Sequence, residues 1–241
     1  MGHILVTGSS RGIGRAALES LAARGAKVIG HASRLAPSQA GGAPIIAADF
    51  GDPLAAQSLW EQALDIADGE IDVVVNNAGR FEANRLDRSD IEWLDAWEDT
   101  LRVNLTSAAQ LSRCAVNHWH ERSFGGRLVH VASRAAYRGD SPAHWHYAAA
   151  KSGMIGMHKT IARAYAKDGI LSFAVTPGFT DTSMADDYLA SRGGPGLLAD
   201  IPLGRVATPD EIAAIIAFCA LDAPPSMTGA VIDANGASFV R

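Results

Sequence analysis

Short apolar runs closed off by turn residues recur along the chain at His3–Thr7, Ala26–Gly30, Pro44–Ala48, Ile71–Val75, Arg127–Ala132, Ile170–Thr176 and Ala230–Asp233. Their length and their Gly, Pro and Asn borders predict seven strands. The runs lack apolar/polar alternation, which is the pattern of strands buried on both faces. Between most of them apolar positions repeat with a helical period, over Ile13–Arg24, Pro53–Ala67, Ile91–Glu121, Tyr147–Lys167 and Pro209–Leu221. Several of these helices open on an Asp or Thr cap followed by proline. Strand and helix in alternation predict an α/β architecture, a doubly wound parallel sheet covered by helices on both faces. One interval is short. His31 to Ala43 leaves about a dozen residues between the second and third strands and contains Pro37, Gly41 and Gly42, so it is expected to be an irregular loop or a single turn. With no linker or repeat, residues 1–241 read as a single domain. Within it, residues 183–201, with Gly193-Gly194-Pro195-Gly196, read as a loop over the substrate.

Composition narrows the function. Hydrophobic residues make up 48% of the chain and charged residues 20%, the balance of an ordinary globular protein with a sizeable core. No apolar run approaches the 18 or more residues of a membrane span, and the first strand begins so near Met1 that no signal peptide is expected. The net charge of −5 is spread without a long basic run, so neither nucleic acid nor a membrane surface is an expected partner. Small-molecule chemistry is. The two cysteines, Cys114 and Cys219, lie in helical stretches, so free thiols and a reducing, cytoplasmic setting are expected. Arginine outnumbers lysine 17 to 4, which draws attention to each lysine.

The first strand runs into Thr7-Gly8-Ser9-Ser10-Arg11-Gly12-Ile13-Gly14 and then directly into a helix. Glycines at this junction permit a tight turn, close approach of a pyrophosphate to the backbone and close helix packing, while the helix N-terminus offers N–H donors and positive dipole. Dinucleotide sites specific for NAD place an acidic residue at the end of the second strand, against the ribose 2′-hydroxyl. Here that segment is His31-Ala32-Ser33-Arg34. With no carboxylate to repel a 2′-phosphate, and with Arg11, Ser33 and Arg34 able to bind one, NADP(H) is favoured and NAD(H) is the alternative. Asp49, past the third strand, is placed to accept from an adenine amino group. Asn76-Asn77-Ala78-Gly79 ends the fourth strand at the same edge of the sheet.

Tyr147 and Lys151, four apart at the start of a helix, share one face. An ammonium about 5 Å from a phenol, at an effective dielectric near 20, favours phenolate by roughly 3 kcal/mol, about two pKa units. That would bring tyrosine towards acid–base work near neutral pH. Ser133, fourteen residues before Tyr147, ends the fifth strand and brings a hydroxyl to the same edge.

With these elements in this order, the chain resembles the short-chain dehydrogenase/reductase family, in its single-domain branch of about 250 residues, from end to end. The resemblance is carried by Thr7–Gly14, Asn76-Asn77-Ala78-Gly79, Asn104 in Val103-Asn104-Leu105, Ser133 with Tyr147 and Lys151, and Pro177-Gly178 followed by Thr182. It implies a Rossmann-type fold and hydride exchange between a nicotinamide and a carbonyl or secondary alcohol. Tyr147 would be proton donor or base, and Ser133 would bond the substrate oxygen. Lys151 would lower the tyrosine pKa and hold the nicotinamide ribose, a role in which even arginine is not expected to replace it. Asn104 would support a water linking the site to bulk solvent. The cofactor residues implied are Gly8, Ser10, Arg11, Gly12, Ile13, Gly14, Ser33, Arg34, Asp49, Phe50, Asn77, Ala78, Gly79, Tyr147, Lys151, Pro177, Gly178, Phe179 and Thr182. The Pro202-Leu203-Gly204-Arg205 stretch and the surroundings of Ala148–Gly153 are similar to 3-oxoacyl-carrier-protein reductases. A ketoreductase acting on a small carbonyl substrate is therefore the leading expectation. An NAD-dependent dehydrogenase of a sugar, steroid or cyclic alcohol, and a catalytically silent nucleotide sensor, are the alternatives. Family members assemble as homotetramers or homodimers through the long helices, where Trp93, Trp97 and Trp119 fall.

Several features depart from the family pattern or stand apart from it. The Ser133–Tyr147 interval is one residue longer than usual, which suggests a small bulge. Thr176 replaces a usual asparagine, and Asn235-Gly236 a usual glycine pair. Arg134, with Arg138 and Arg80, suggests a pocket for an anionic substrate. His118 and His120 face different ways on a helix and lack a third ligand, so no metal is expected. His144, Trp145 and His146 are expected to shape the pocket wall.

Overall fold

The computed structural model describes residues 2–34, 42–181 and 198–241. Strands β1 (His3–Val6), β2 (Val28–Ala32), β3 (Ile45–Ala47), β4 (Ile71–Asn76), β5 (Gly126–Val131), β6 (Ile170–Pro177) and β7 (Val231–Ala234) pair in one parallel sheet. Their order is β3-β2-β1-β4-β5-β6-β7. Successive side chains of a strand point to opposite faces, and both faces are covered. Ile4 and Val6 join Val73, Val75, Val129 and Val131 in the layer beneath helices α1 (Gly12–Ala23) and α7 (Pro209–Ala217). Leu5, Val74 and Leu128 face α2 (Ala55–Ile66) and α4 (Ser107–Glu121) on the other side. The central strands are therefore apolar on both faces through most of their length, with polar residues such as Asp72, Asn76, Arg127 and His130 at the remaining positions. The strand order reverses between β1 and β4, and a crevice opens at the C-terminal ends of strands at such a switch point.

The single helix expected over Ile91–Glu121 is interrupted. Helix α3 (Asp90–Leu101) starts at a Ser89/Glu92 capping box and passes into one wide turn, Arg102–Thr106, before α4. There the Ser107 N–H bonds to the Arg102 carbonyl five residues back, and the Ser107 hydroxyl takes over the Val103 carbonyl. One residue is thereby inserted into the helix without breaking it. Such wide turns gather at functional sites, and this one carries Asn104, fully buried. The longer Ser133–Tyr147 interval holds a short helix, α5 (Ala135–Arg138), ended by Gly139 at φ 74°. Helix α6 (Trp145–Tyr165) follows. Of the short second connection, residues 35–41 lie outside the described residues, as do Thr182 and residues 183–197 of the loop expected over the substrate. Both cysteines are free. Trp119 is a core residue, its indole N–H donating to the Ile71 carbonyl at 2.7 Å, whereas Trp93 and Trp97 stack on each other with Trp145 edge-on to Trp93.

Candidate active site

A cleft of about 370 Å³ lies along the C-terminal edge of β1, β2, β4, β5 and β6. At one end it is floored by the glycine turn. Gly8 and Gly12 have φ of 65° and 54°, open to glycine at no steric cost. A Cβ at Gly14 would collide with the Gly8 carbonyl and the Asn77 amide. Helix α1 begins at Arg11 with no side-chain cap and no acidic residue in its first turn, so its leading N–H groups face the cleft as an anion site. The turn is cross-linked to the segment after β4. The Thr7 hydroxyl accepts from the N–H groups of Asn77 and Ala78 at 2.9 and 3.0 Å. The Asn77 amide in turn donates to the carbonyls of Thr7 and Gly8. Ser10, Arg11, Ile13, Ser33, Asp49, Phe50, Ala78 and Gly79 also line this end. A bare helix N-terminus, a backbone cradle that a Cβ would fill, and an arginine beside a strand end without a carboxylate together suit an anionic dinucleotide. Arg34 is exposed and is not part of the cleft wall, and Phe50 lines it while largely buried, its ring stacked on His31.

At the other end stand Ser133, Tyr147 and Lys151, with Pro177, Gly178 and Phe179 across from them. The β5 strand delivers Ser133, whose hydroxyl accepts from the Ala135 N–H at 3.1 Å as the chain turns into α5. The first turns of α6 carry Tyr147 and Lys151 on one face. Lys151 is buried, donates to the Val131 carbonyl at 2.8 Å and lies 5.8 Å from the centre of the Tyr147 ring. Phe81 braces the tyrosine edge-on at 4.7 Å and is itself stacked on His144 at 3.9 Å, so His144 forms the backing of the wall.

The electrostatics correct the expected activation of the tyrosine by its lysine. Burial pushes the Tyr147 phenol up to about 12, Asp140 pushes the same way, and only the hydrogen bond with Ser133 opposes them. Burial also pushes Lys151 down to about 8. The ammonium donates to the Val131 carbonyl, and removal of water from both groups dominates their shifts. The tyrosine is held as the neutral phenol.

Asn104 lies behind the cleft. Its amide oxygen accepts from the Arg80 N–H at 2.8 Å and its amide N–H donates to the Arg80 carbonyl at 2.9 Å. This two-way clamp joins the wide turn to the residue that follows the Asn77–Gly79 segment. Of the three arginines, Arg134 lies in the cleft wall beneath Phe179 at 4.5 Å, and Arg80 lines the cleft while paired with Asp99. Arg138 instead reaches the Ser238 carbonyl. His118 bonds to the Gly69 carbonyl and His120 approaches Asp168, far apart in partner and direction. Sequence reasoning missed His31, Phe81 and Asp140. A histidine in a strand, or a phenylalanine or aspartate in a loop, carries no sequence signal that separates a site wall from core or surface.

The fold and the site define a class, nucleotide-binding α/β oxidoreductases with a Ser–Tyr–Lys constellation, and comparison with known proteins agrees. Residues 8–236 match the family profile described as enoyl-(acyl carrier protein) reductase. The chain is 38% identical over 246 residues to the 3-oxoacyl-[acyl-carrier-protein] reductase FabG of Escherichia coli (strain K12), covering 98% of this chain and 96% of that protein. It is 35% identical to the FabG of Haemophilus influenzae, at 98% and 97% coverage. Among solved structures it superposes with a TM-score of 0.87 at 29% identity on a protein provisionally described as a 2-deoxy-D-gluconate 3-dehydrogenase, from Agrobacterium tumefaciens, with bound NADP. That match covers 100% of this chain and 97% of the other. A structure provisionally described as an NAD(P)-dependent gluconate 5-dehydrogenase, from Beutenbergia cavernae, gives 0.88 at 29%, covering 98% and 95%, with NADP at low occupancy. The chain belongs to the short-chain dehydrogenase/reductase family.

Proposed function

We propose that the protein is an NADP(H)-dependent oxidoreductase that interconverts a carbonyl and a secondary alcohol, working as a ketoreductase. One observation carries this reading: a single cleft has a bare, glycine-cradled helix N-terminus at one end and Ser133, Tyr147 and Lys151 at the other. The glycine turn and α1 would hold the pyrophosphate, with Arg11 and Ser33 towards the 2′-phosphate and Arg34 close outside it. Asp49, Asn77–Gly79, Pro177-Gly178 and, by resemblance, Thr182 would hold the rest. When bound, the nicotinamide supplies or accepts the hydride. Ser133 bonds the substrate oxygen and fixes the carbonyl against Tyr147. The phenol, neutral up to about 12, gives its proton to an oxygen that gains negative charge as hydride arrives. An alkoxide is far more basic than a phenolate, because an alcohol is nearly as weak an acid as water, so the transfer runs downhill. Lys151, charged below about 8 and 5.8 Å from the centre of the Tyr147 ring, would favour the phenolate left behind by its charge. The relatives named as FabG support reduction of a 3-oxoacyl group.

A second reading, oxidation or reduction of a sugar acid, is favoured by Arg134 in the cleft wall and by the two gluconate-type neighbours with NADP. Residues 1–241 are read as one nucleotide-binding domain, and assembly as a homodimer or homotetramer in the cytoplasm follows from the family. Among the described residues no helix is long and apolar enough to cross a membrane.

The deciding experiment follows nicotinamide absorbance with NADPH and NADH over a panel of 3-oxoacyl thioesters, keto sugar acids and simple ketones. Turnover with NADPH on the thioesters is the expected result. Preference for NADH overturns the cofactor assignment, and absence of turnover across the panel overturns the enzymatic one.

A further inference from the structure

At the C-terminal end of β2 the His31 ring is 2% exposed and both its nitrogens are engaged. The Gly8 N–H, first in the glycine turn, points at Nδ1 at 3.1 Å, and Nε2 lies 2.7 Å from the Ala48 carbonyl. A backbone N–H only donates and a carbonyl only accepts, so the ring is neutral and carries its proton on Nε2. Main-chain bonds tie the same two segments together. The Ser9 N–H donates to the His31 carbonyl at 2.8 Å, and the His31 N–H donates to the Ser9 hydroxyl at 3.0 Å. Phe50 seals the ring, stacked at 4.3 Å. One imidazole thus bridges three segments: the turn after β1, the end of β2 and the residues after β3.

We propose that His31 is a positioning residue for nucleotide binding: as the neutral ring it holds Gly8 so that the glycine turn and the α1 N-terminus meet the pyrophosphate. A proton on Nδ1 abolishes that acceptor, releases Gly8 and weakens binding of any dinucleotide, with or without a 2′-phosphate. The proposal rests on the nucleotide-binding reading of the cleft. The bond to the Ala48 carbonyl and the charge of Asp49 after β3 favour the protonated form, but burial outweighs both and holds His31 below its ordinary range; Arg11 on the glycine turn and the exposed Arg34 beyond β2 are the cations of the flanking segments. The neutral form therefore prevails at and above neutral pH and is lost as pH falls.

Calorimetric titration of the full chain with NAD⁺ and NADP⁺ between pH 8 and 4.5 tests this, with circular dichroism confirming the fold at each pH. NAD⁺ is the informative probe, since it lacks the 2′-phosphate. Wild-type affinity for NAD⁺ is expected to be flat above pH 7 and to fall threefold or more by pH 4.5. His31→Asn, whose amide oxygen can accept from Gly8, should bind NAD⁺ within about threefold of wild type at pH 8 and lose the pH dependence. His31→Val should weaken NAD⁺ and NADP⁺ alike, by about tenfold, roughly the loss of one hydrogen bond. A flat wild-type NAD⁺ profile overturns the proposal even if the valine variant does not fold. So does a loss confined to NADP⁺, which would make His31 a 2′-phosphate ligand. If wild type binds neither nucleotide at pH 8, the nucleotide reading of the cleft fails first, and the proposal falls with it.

Discussion

In the proposed mechanism the Tyr147 hydroxyl is the smallest unit on which the chemistry depends, and its environment sets its direction of use. Burial and Asp140 raise its pKa to about 12, and the neighbouring lysine, turned to a backbone carbonyl, does not offset them. A group so placed keeps its proton until a strong base forms beside it, which suits protonation of a nascent alkoxide. Tyr147→Phe is expected to lower kcat by three orders of magnitude or more while the nucleotide Kd stays within about threefold. Steady-state rates with a fluorescence titration of NADPH would check both halves. Retained turnover would remove the proton-donor role. The identity of this triad was readable from Ser133, Tyr147 and Lys151 in order, but the sign of the tyrosine shift was not. The charge of Lys151 and its place one turn from Tyr147 are legible in the sequence; the water removed from both groups is not.

At the scale of elements, two junctions hold the site. The first is the contact of the glycine turn with the residues after β4, where Gly14 fits because it has no side chain. Gly14→Ala would drive a Cβ into the Gly8 carbonyl and the Asn77 amide, both part of rigid structure. Nucleotide affinity should fall at least tenfold in a titration, with a lowered Tm, because the turn must shift to admit the methyl. The second is the wide turn Arg102–Thr106. Asn104→Ala would remove both bonds to the Arg80 main chain. Both Arg80 groups left unpaired are half-buried, so each costs near the low end of about 1–3 kcal/mol, and a loss of roughly 2 kcal/mol in urea unfolding is expected, with lower kcat. A change of stability below about 0.5 kcal/mol would show that the clamp is not structural. The glycine spacing announces the first junction in the sequence. The second is hidden, because a helical period continues through Ile91–Glu121 and an inserted residue only shifts its phase.

For the whole molecule, the sheet carries a titratable load in its interior. His130 on β5 is fully buried beside Asn76, and His158 on α6 lies with its ring 5.9 Å away, bonded to Ser172. Burial lowers both, His130 to about 3. In the unfolded chain a histidine takes its proton near 6.5, so the unfolded state binds more protons across the window from about 6.5 to about 3. Folding stability is therefore full above 6.5 and is lost as pH falls through that window, at up to about 1.4 kcal/mol per pH unit for His130 alone. Urea titrations at pH 7.5 and 5 should differ by roughly 2 kcal/mol from this residue, and His130→Leu should reduce the difference. An unchanged pH dependence would mean that another group controls acid unfolding. The alternation of apolar runs and helical periods determined the architecture from sequence alone, because strands buried on both faces and helices with one apolar stripe have few ways to pack. The glycine turn, the serine, the tyrosine and the lysine were likewise fixed by spacing, since local geometry places each at a strand or helix end. Only the tertiary structure decided what lies around them. It joined His31 to Gly8, Asn104 to Arg80 and Phe81 to Tyr147 across 23, 24 and 66 positions of the chain. It also set the burial that governs their protons, because desolvation depends on the atoms that surround a group and these come from every part of the sheet.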